Sequence, residues 1–168
     1  METLKRTYWT LLVLVGFWCA GTLLAPLLSS ALPGVSKFLY SFYSPICHQM
    51  DSHSLHVPGG KAGVCARCFA IYWGFFGSLL LYPTLRTLNA STLPSRGWII
   101  IAVGPMLLDV LLTLSGLHES TLVTRTLTGA LFGLIMPFYL LPPLLEGVAQ
   151  LRTQYLARGG LFYARKTQ

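Results

Sequence analysis

Residues Val64–Leu85 read VCARCFAIYWGFFGSLLLYPTL, a run of 22 residues whose single charge is Arg67. Crossing a hydrocarbon core as a helix takes about 20 mostly apolar residues, because each residue advances only ~1.5 Å. This stretch meets that length, and it carries a Cys-x-x-C pair, Cys65 and Cys68, in its first turn. The fold therefore hinges on whether it is a membrane span or the core of a soluble domain. Composition decides between them. Of the 168 residues, 54% are hydrophobic and 10% charged, and the mean hydropathy is +0.61. A soluble domain of this size carries roughly 25% charged residues, so most of this chain's surface has to face something other than water.

Working outward, three further runs have the same character. Together with the first they predict spans over about Tyr8–Leu32, Val64–Leu85, Gly97–Leu117 and Leu122–Leu145, which makes the fold class an all-α, four-helix transmembrane bundle in one domain over residues 1–168. The first span follows Lys5 and Arg6 and ends near Ser29-Ser30-Ala31, like a secretory signal, but its apolar run from Leu11 to Leu28 exceeds the ~7–15 residues of a signal's hydrophobic region. It reads as a retained span. Lys5 and Arg6, then Arg86 and Arg96, then Arg152, Arg158, Arg165 and Lys166 fall on one side if both termini are cytoplasmic. The connections 33–63 and 118–121 are then extracytoplasmic, and residues 146–168 form a basic cytoplasmic tail. The net charge of +7 is spread along span edges, which suits anionic lipid on the cytoplasmic side and argues against nucleic acid. The expected localisation is a plasma membrane, crossed four times.

The ends of the spans carry further signals. Phe38, Tyr40, Phe42 and Tyr43 beside Lys37 suit either a short helix in the interface or an aromatic loop packed on the bundle. Val148, Leu151 and Tyr155, interleaved with Gln150 and Arg152, predict a surface helix that ends at Gly159-Gly160.

Chemistry concentrates before and inside the second span. The window Cys47–Gly74, CHQMDSHSLHVPGGKAGVCARCFAIYWG, holds three of the four cysteines and three of the four histidines. Thiols at a helix N-terminus are biased toward thiolate, which is both the metal-binding and the nucleophilic form. Three readings stay open. In the first, Cys47, Cys65 and Cys68 with His48 form a closed tetrahedral zinc site. Adjacency to Cys47 strains coordination by His48, so His56 is the alternative fourth ligand, and His53 is also within reach. In the second, Cys65 and Cys68 are a redox pair and Cys47 is a relay thiol, a layout resembling quinone-linked disulfide-forming membrane enzymes, although those carry a second extracytoplasmic cysteine pair and this chain does not. In the third, Cys47 forms a structural disulfide with one thiol of the pair. Phe69 after Cys68, where a c-type haem site has His, argues against haem attachment. Cys19, inside the first span, reads as a small apolar filler.

Charges inside the spans point the same way. Asp109 lies about 12 Å below the end of its helix, and Arg125 about 6 Å below the start of the next. A charge in hydrocarbon needs a partner, so an Asp109–Arg125 pair is the first expectation, with Arg67 competing. Arg125, Gly129 and Gly133 share one face, and Gly129-x-x-x-Gly133 is a close-packing pattern. Gly74 and Ser78 offer a similar seam on the second span. The short turn at His118–Thr121 makes spans three and four antiparallel neighbours, bringing Glu119 to the face of the cysteines. No hydrolytic triad, phosphate loop or pair of catalytic carboxylates is present, so enzyme activity is left undecided. An accessory subunit of a respiratory or photosynthetic membrane complex fits the size and the apolar seams.

Cys47-His48-Gln49, Ser54, Cys65-Ala66-Arg67-Cys68, Ile71-Tyr72, Gly74, Asp109, Glu119-Ser120-Thr121, Arg125 and Thr128-Gly129 together resemble the signature of an uncharacterised family of small prokaryotic membrane proteins, a domain of unknown function. The resemblance covers roughly residues 44–135. It departs at His53, where Arg is expected, and at Phe69-Ala70, where Thr-Gly is usual. The resemblance implies four spans and groups Cys47, His48, Cys65, Cys68, Asp109, Glu119 and Arg125 as one unit. It brings no activity.

Overall fold

The computed structural model describes residues 2–90 and 92–164, with side chains as far as Tyr155. Arg165 and Lys166, and the side chain of Arg158, lie outside the described residues. In chain order the elements are α1 (Glu2–Leu27), α2 (Pro33–Tyr43), a 3₁₀ turn (Asp51–His53), β1 (Ser54–Val57), β2 (Gly60–Cys65), α3 (Ala66–Leu85), α4 (Gly97–Leu114), α5 (Leu122–Ile135) and α6 (Pro137–Ala164). The chain is mostly helical, and four helical stretches are long and apolar enough to cross a membrane: Glu2–Leu27, Ala66–Leu85, Gly97–Leu114 and Leu122–Tyr155.

Boundaries moved where local chemistry overrules hydropathy. The fourth stretch is interrupted at Met136 because Pro137 has no N–H to donate and its ring crowds the carbonyl four residues back. Beyond it α6 runs through Gly159-Gly160 to Ala164, so the expected stop is not there. A helical glycine costs only about 1 kcal/mol, which a helix continuing on both sides absorbs. The aromatic stretch 38–43 is helical, within α2.

The segment 54–65 is the main departure from the expected loop. It forms an antiparallel hairpin in which Val57 faces Gly60 and Ser54 faces Cys65. The loop places Pro58 before Gly59, whose φ of +94° is open to glycine and rarely to other residues. Gly59 also touches α1: a Cβ there would collide with the Pro26 carbonyl, and the Ser29 hydroxyl donates to the Gly59 carbonyl at 2.9 Å. The hairpin is thereby seated on the end of α1.

Among the helices α3 is central, packing against α5, α1 and α6, while α4 packs against α5. The α3–α5 contact runs along the glycine face. A Cβ on Gly129 would stand 2.5 Å from the Arg67 carbonyl oxygen, and one on Gly133 would press still closer on that of Ile71. From the other side, a Cβ on Gly74 would stand 3.0 Å from the Ala130 carbonyl oxygen, and the Ser78 hydroxyl donates to the Leu134 carbonyl at 2.7 Å. Small residues let the two backbones approach this closely, which in an apolar solvent is a main source of helix association.

Candidate metal centre

Each cysteine of the window is delivered by a different piece of local structure. Cys47 is buried one turn beyond α2, its N–H donating to the Tyr43 carbonyl at 3.0 Å. Cys65 is the last residue of β2 and also the N-cap of α3. Cys68 follows within the first turn, where a spacing of three puts both sulfurs on one helix face. Gln49 directs the chain between them. It holds a φ of +47°, its side-chain amide donates to the carbonyls of Tyr40 (2.8 Å) and Gly63 (2.9 Å), and Lys61 Nζ donates to the Gln49 carbonyl at 2.8 Å. A non-glycine residue in that region is strained unless its surroundings hold it, and these three bonds hold it.

The result is that the Sγ atoms of Cys47, Cys65 and Cys68 all lie within 4.8 Å of one another. All four cysteines are free thiols. The Cys65 N–H donates to Cys47 Sγ at 3.1 Å. Hydrogen bonds from the Cys47 thiol first, and from Cys68, hold the Cys65 thiol well below the usual thiol range despite its burial. Trp18, Tyr43, Tyr72 and Phe69 pack around the group. Sulfurs on a tetrahedral zinc ion stand about 3.8 Å apart, given Zn–S bonds of ~2.3 Å. The trio, with no pair more than 4.8 Å apart, is close enough to hold a metal ion after small side-chain movements, and an all-thiolate donor set is the soft kind that zinc accepts. Cys19 stays apart in α1, its thiol donating to the Tyr72 carbonyl at 3.3 Å.

The histidines do not close the cluster. His48 and His53 line a pocket of about 470 Å³ over the three sulfurs, yet neither ring nitrogen belongs to the group. His56 is exposed on β1, its Nε2 3.5 Å from an Asp51 carboxylate oxygen.

Below the sulfurs, Asp109 is paired with Arg67, so Arg125, the first partner expected from sequence, is displaced by the competing one. The reason is lateral. Arg125 shares the Gly129–Gly133 face, which is turned to α3 and the cysteine pocket, whereas Arg67 reaches past the start of α5 to α4. The Arg125 Nε–H instead donates to the Ser120 carbonyl at 3.3 Å. Glu119 is exposed and, among the described residues, makes no side-chain hydrogen bond. Its neighbour Ser120 is the residue that joins, donating to Asp109 Oδ2 at 2.8 Å. Ser120 and Gln49 were visible in the family signature, but a hydroxyl or an amide gives no sign in sequence of which buried group it will serve.

Residues 47–139 match the profile of a family described as "Predicted membrane protein (DUF2085)", more than half of the chain. The chain belongs to this family. Its matched segment begins at Cys47 and contains all three clustered cysteines, Arg67, Asp109, Ser120 and Arg125, so the family's shared part is the candidate centre with α3, α4 and α5 around it. The uncharacterized protein MJ1492 of Methanocaldococcus jannaschii is 41% identical over 112 residues, covering 67% of this chain and 72% of the relative. No solved structure matches the chain.

Proposed function

We propose that this member of the family is a small multi-pass protein of a prokaryotic plasma membrane that holds one divalent metal ion, zinc by donor type, on the thiolates of Cys47, Cys65 and Cys68. Both termini face the cytoplasm and the centre faces outside, as the Lys and Arg distribution favours. The ion braces the hairpin, α2 and α3 against one another in a structural or accessory role, with Arg67, Asp109 and Arg125 as the polar support. The observation that carries this reading is the convergence within 4.8 Å of the Cys47 sulfur, from the loop after α2, with those of Cys65 and Cys68 at the β2–α3 junction. Outside the cytoplasm, free thiols so close together oxidise unless an ion occupies them. The test is elemental analysis of the purified protein in mild detergent. One zinc per chain is expected, falling to a small fraction in Cys65→Ser, and a stoichiometry far below one in the unmodified protein overturns the reading.

A second reading, quinone-linked thiol–disulfide exchange, draws support from the same closeness together with the lowered Cys65 thiol. Thiol trapping in intact cells separates the two: a metal-held trio stays reduced throughout growth, whereas an exchanging pair is trapped in both states. For an accessory subunit, the docking face is the apolar outside of α4, where Ile100, Leu108 and Leu111 are exposed. Co-purification with a stable partner in mild detergent is the expected result, and a lone chain counts against it.

A further inference from the structure

Three cysteines would fill only three positions of a tetrahedral ion, and among the described residues no histidine nitrogen belongs to their group. All three cysteines line the 470 Å³ pocket, which has far more room than the ~30 Å³ share of one water. Besides the sulfurs, the polar side chains on the pocket wall are His48, His53, Arg67 and Arg125. No carboxylate is among them: Asp109 lies beneath, committed to Arg67 and Ser120, and Glu119 does not line the pocket. The charge of Arg67 is matched by Asp109, whereas that of Arg125 is not. Among the described residues Arg125 makes only the Nε bond to the Ser120 carbonyl, which leaves both terminal nitrogens without a protein acceptor. α3 and α5 begin on the same side, at Cys65, which makes no side-chain cap, and at Thr121, which caps the Thr124 N–H, and their N-termini add a field that favours an anion. The rim is apolar, with Ile46, Met50 and Leu114 49%, 53% and 80% exposed.

We propose that this pocket binds an anionic oxygen ligand, a carboxylate or phosphate, which takes the metal's fourth position while Arg125 clamps it from the opposite side. The proposal rests on the metal reading above and changes its meaning: an open position held for a ligand is the arrangement of a binding centre, whereas a purely structural site is closed. Guanidinium is suited to the task because its fork of donors matches a carboxylate or phosphate in two parallel bonds. The apolar rim suits an amphiphile, so the anion has two sources, a soluble molecule or the headgroup of a neighbouring lipid.

Cobalt(II) in place of zinc makes the centre visible. Metal-free protein in nanodiscs of neutral lipid is loaded with cobalt, and the thiolate-to-cobalt charge-transfer band reports that the three sulfurs hold it. The visible ligand-field bands, which depend on the fourth ligand, are then followed as acetate or inorganic phosphate is added, and separately in discs containing phosphatidylglycerol. A saturable change with the soluble anions identifies a soluble ligand, and a change seen only with phosphatidylglycerol identifies a headgroup. In Arg125→Gln the half-saturating concentration should rise about tenfold or more, the worth of a lost charged hydrogen bond, and in Arg125→Lys less, with the charge-transfer band retained. If Arg125→Gln loses that band, Arg125→Lys carries the comparison. Visible bands that none of the three anions moves, or variants that titrate like the unmodified protein, overturn the proposal while leaving the metal centre standing. Absence of the charge-transfer band removes both.

Discussion

The two ends of α3 are held by opposite means. At the hairpin end, α3 and α5 meet backbone to backbone across Gly129 and Gly133, and the Asp109 carboxylate is bonded to both Arg67 and Ser120. At the other end, large side chains fill the space: Tyr8, Leu12, Leu79, Tyr82, Leu141 and Leu145 form a buried cluster from α1, α3 and α6. That end also leaves a cavity of about 300 Å³ lined by Arg86, Trp98, Ile135, Phe138 and Tyr139. Volume-filling contacts tolerate adjustment, since side chains can repack. Backbone proximity and a buried ion pair cannot slide. The rigid means are concentrated where the sulfurs have to meet.

The contrast is broken most severely by removing one charge. Asp109→Leu strands Arg67, and loss of one partner of a buried pair costs about 3–5 kcal/mol. Reversible unfolding in detergent or bicelles should show that loss, and the double variant Arg67→Met with Asp109→Leu should recover most of it. A double variant as unstable as the single one would mean that the pair contributes more than its own neutralisation. Gly129→Val comes next, at about 3 kcal/mol, the upper end of ordinary overpacking, because its Cβ would stand 2.5 Å from the Arg67 carbonyl oxygen. Metal content should fall with it. Gly77→Ala on the same α3 meets nothing within 4 Å and should be neutral or stabilising by up to about 1 kcal/mol. Equal effects of the two substitutions would dissolve the distinction. The smallest effect belongs to the far end: Tyr8→Phe removes a 2.8 Å hydrogen bond to the Leu79 carbonyl, costs about 1 kcal/mol, and should leave metal content unchanged.

Much of this was legible in the sequence, and what was not has identifiable causes. The spans were readable because hydropathy is a one-dimensional property. The three cysteines were readable as a group by residue type and by the Cys65–Cys68 spacing. The hairpin was not read although Pro58-Gly59-Gly60 marks its turn. Strands of four and six residues carry little periodicity, and what seats them is the fit of Gly59 on Pro26, 33 residues earlier in the chain. The partner of Asp109 was misjudged because depth along the helices can be counted from sequence, whereas the side on which α4 meets α5 cannot. His48 sits next to a ligand-type cysteine and still stays out of the sulfur group, because adjacency in sequence does not set where a side chain points.

Cys65 ends a strand and caps a helix in the same residue. A two-stranded ribbon this short does not persist by itself in water. It is riveted at its tip, where Gly59 wedges against α1, and at its root, where the sulfurs gather. With an ion at the root, the ribbon becomes a stiff lever connecting the first transmembrane helix to the third helix of the chain. That link adds to the direct contacts of the two helices, such as the Tyr8 hydroxyl on the Leu79 carbonyl.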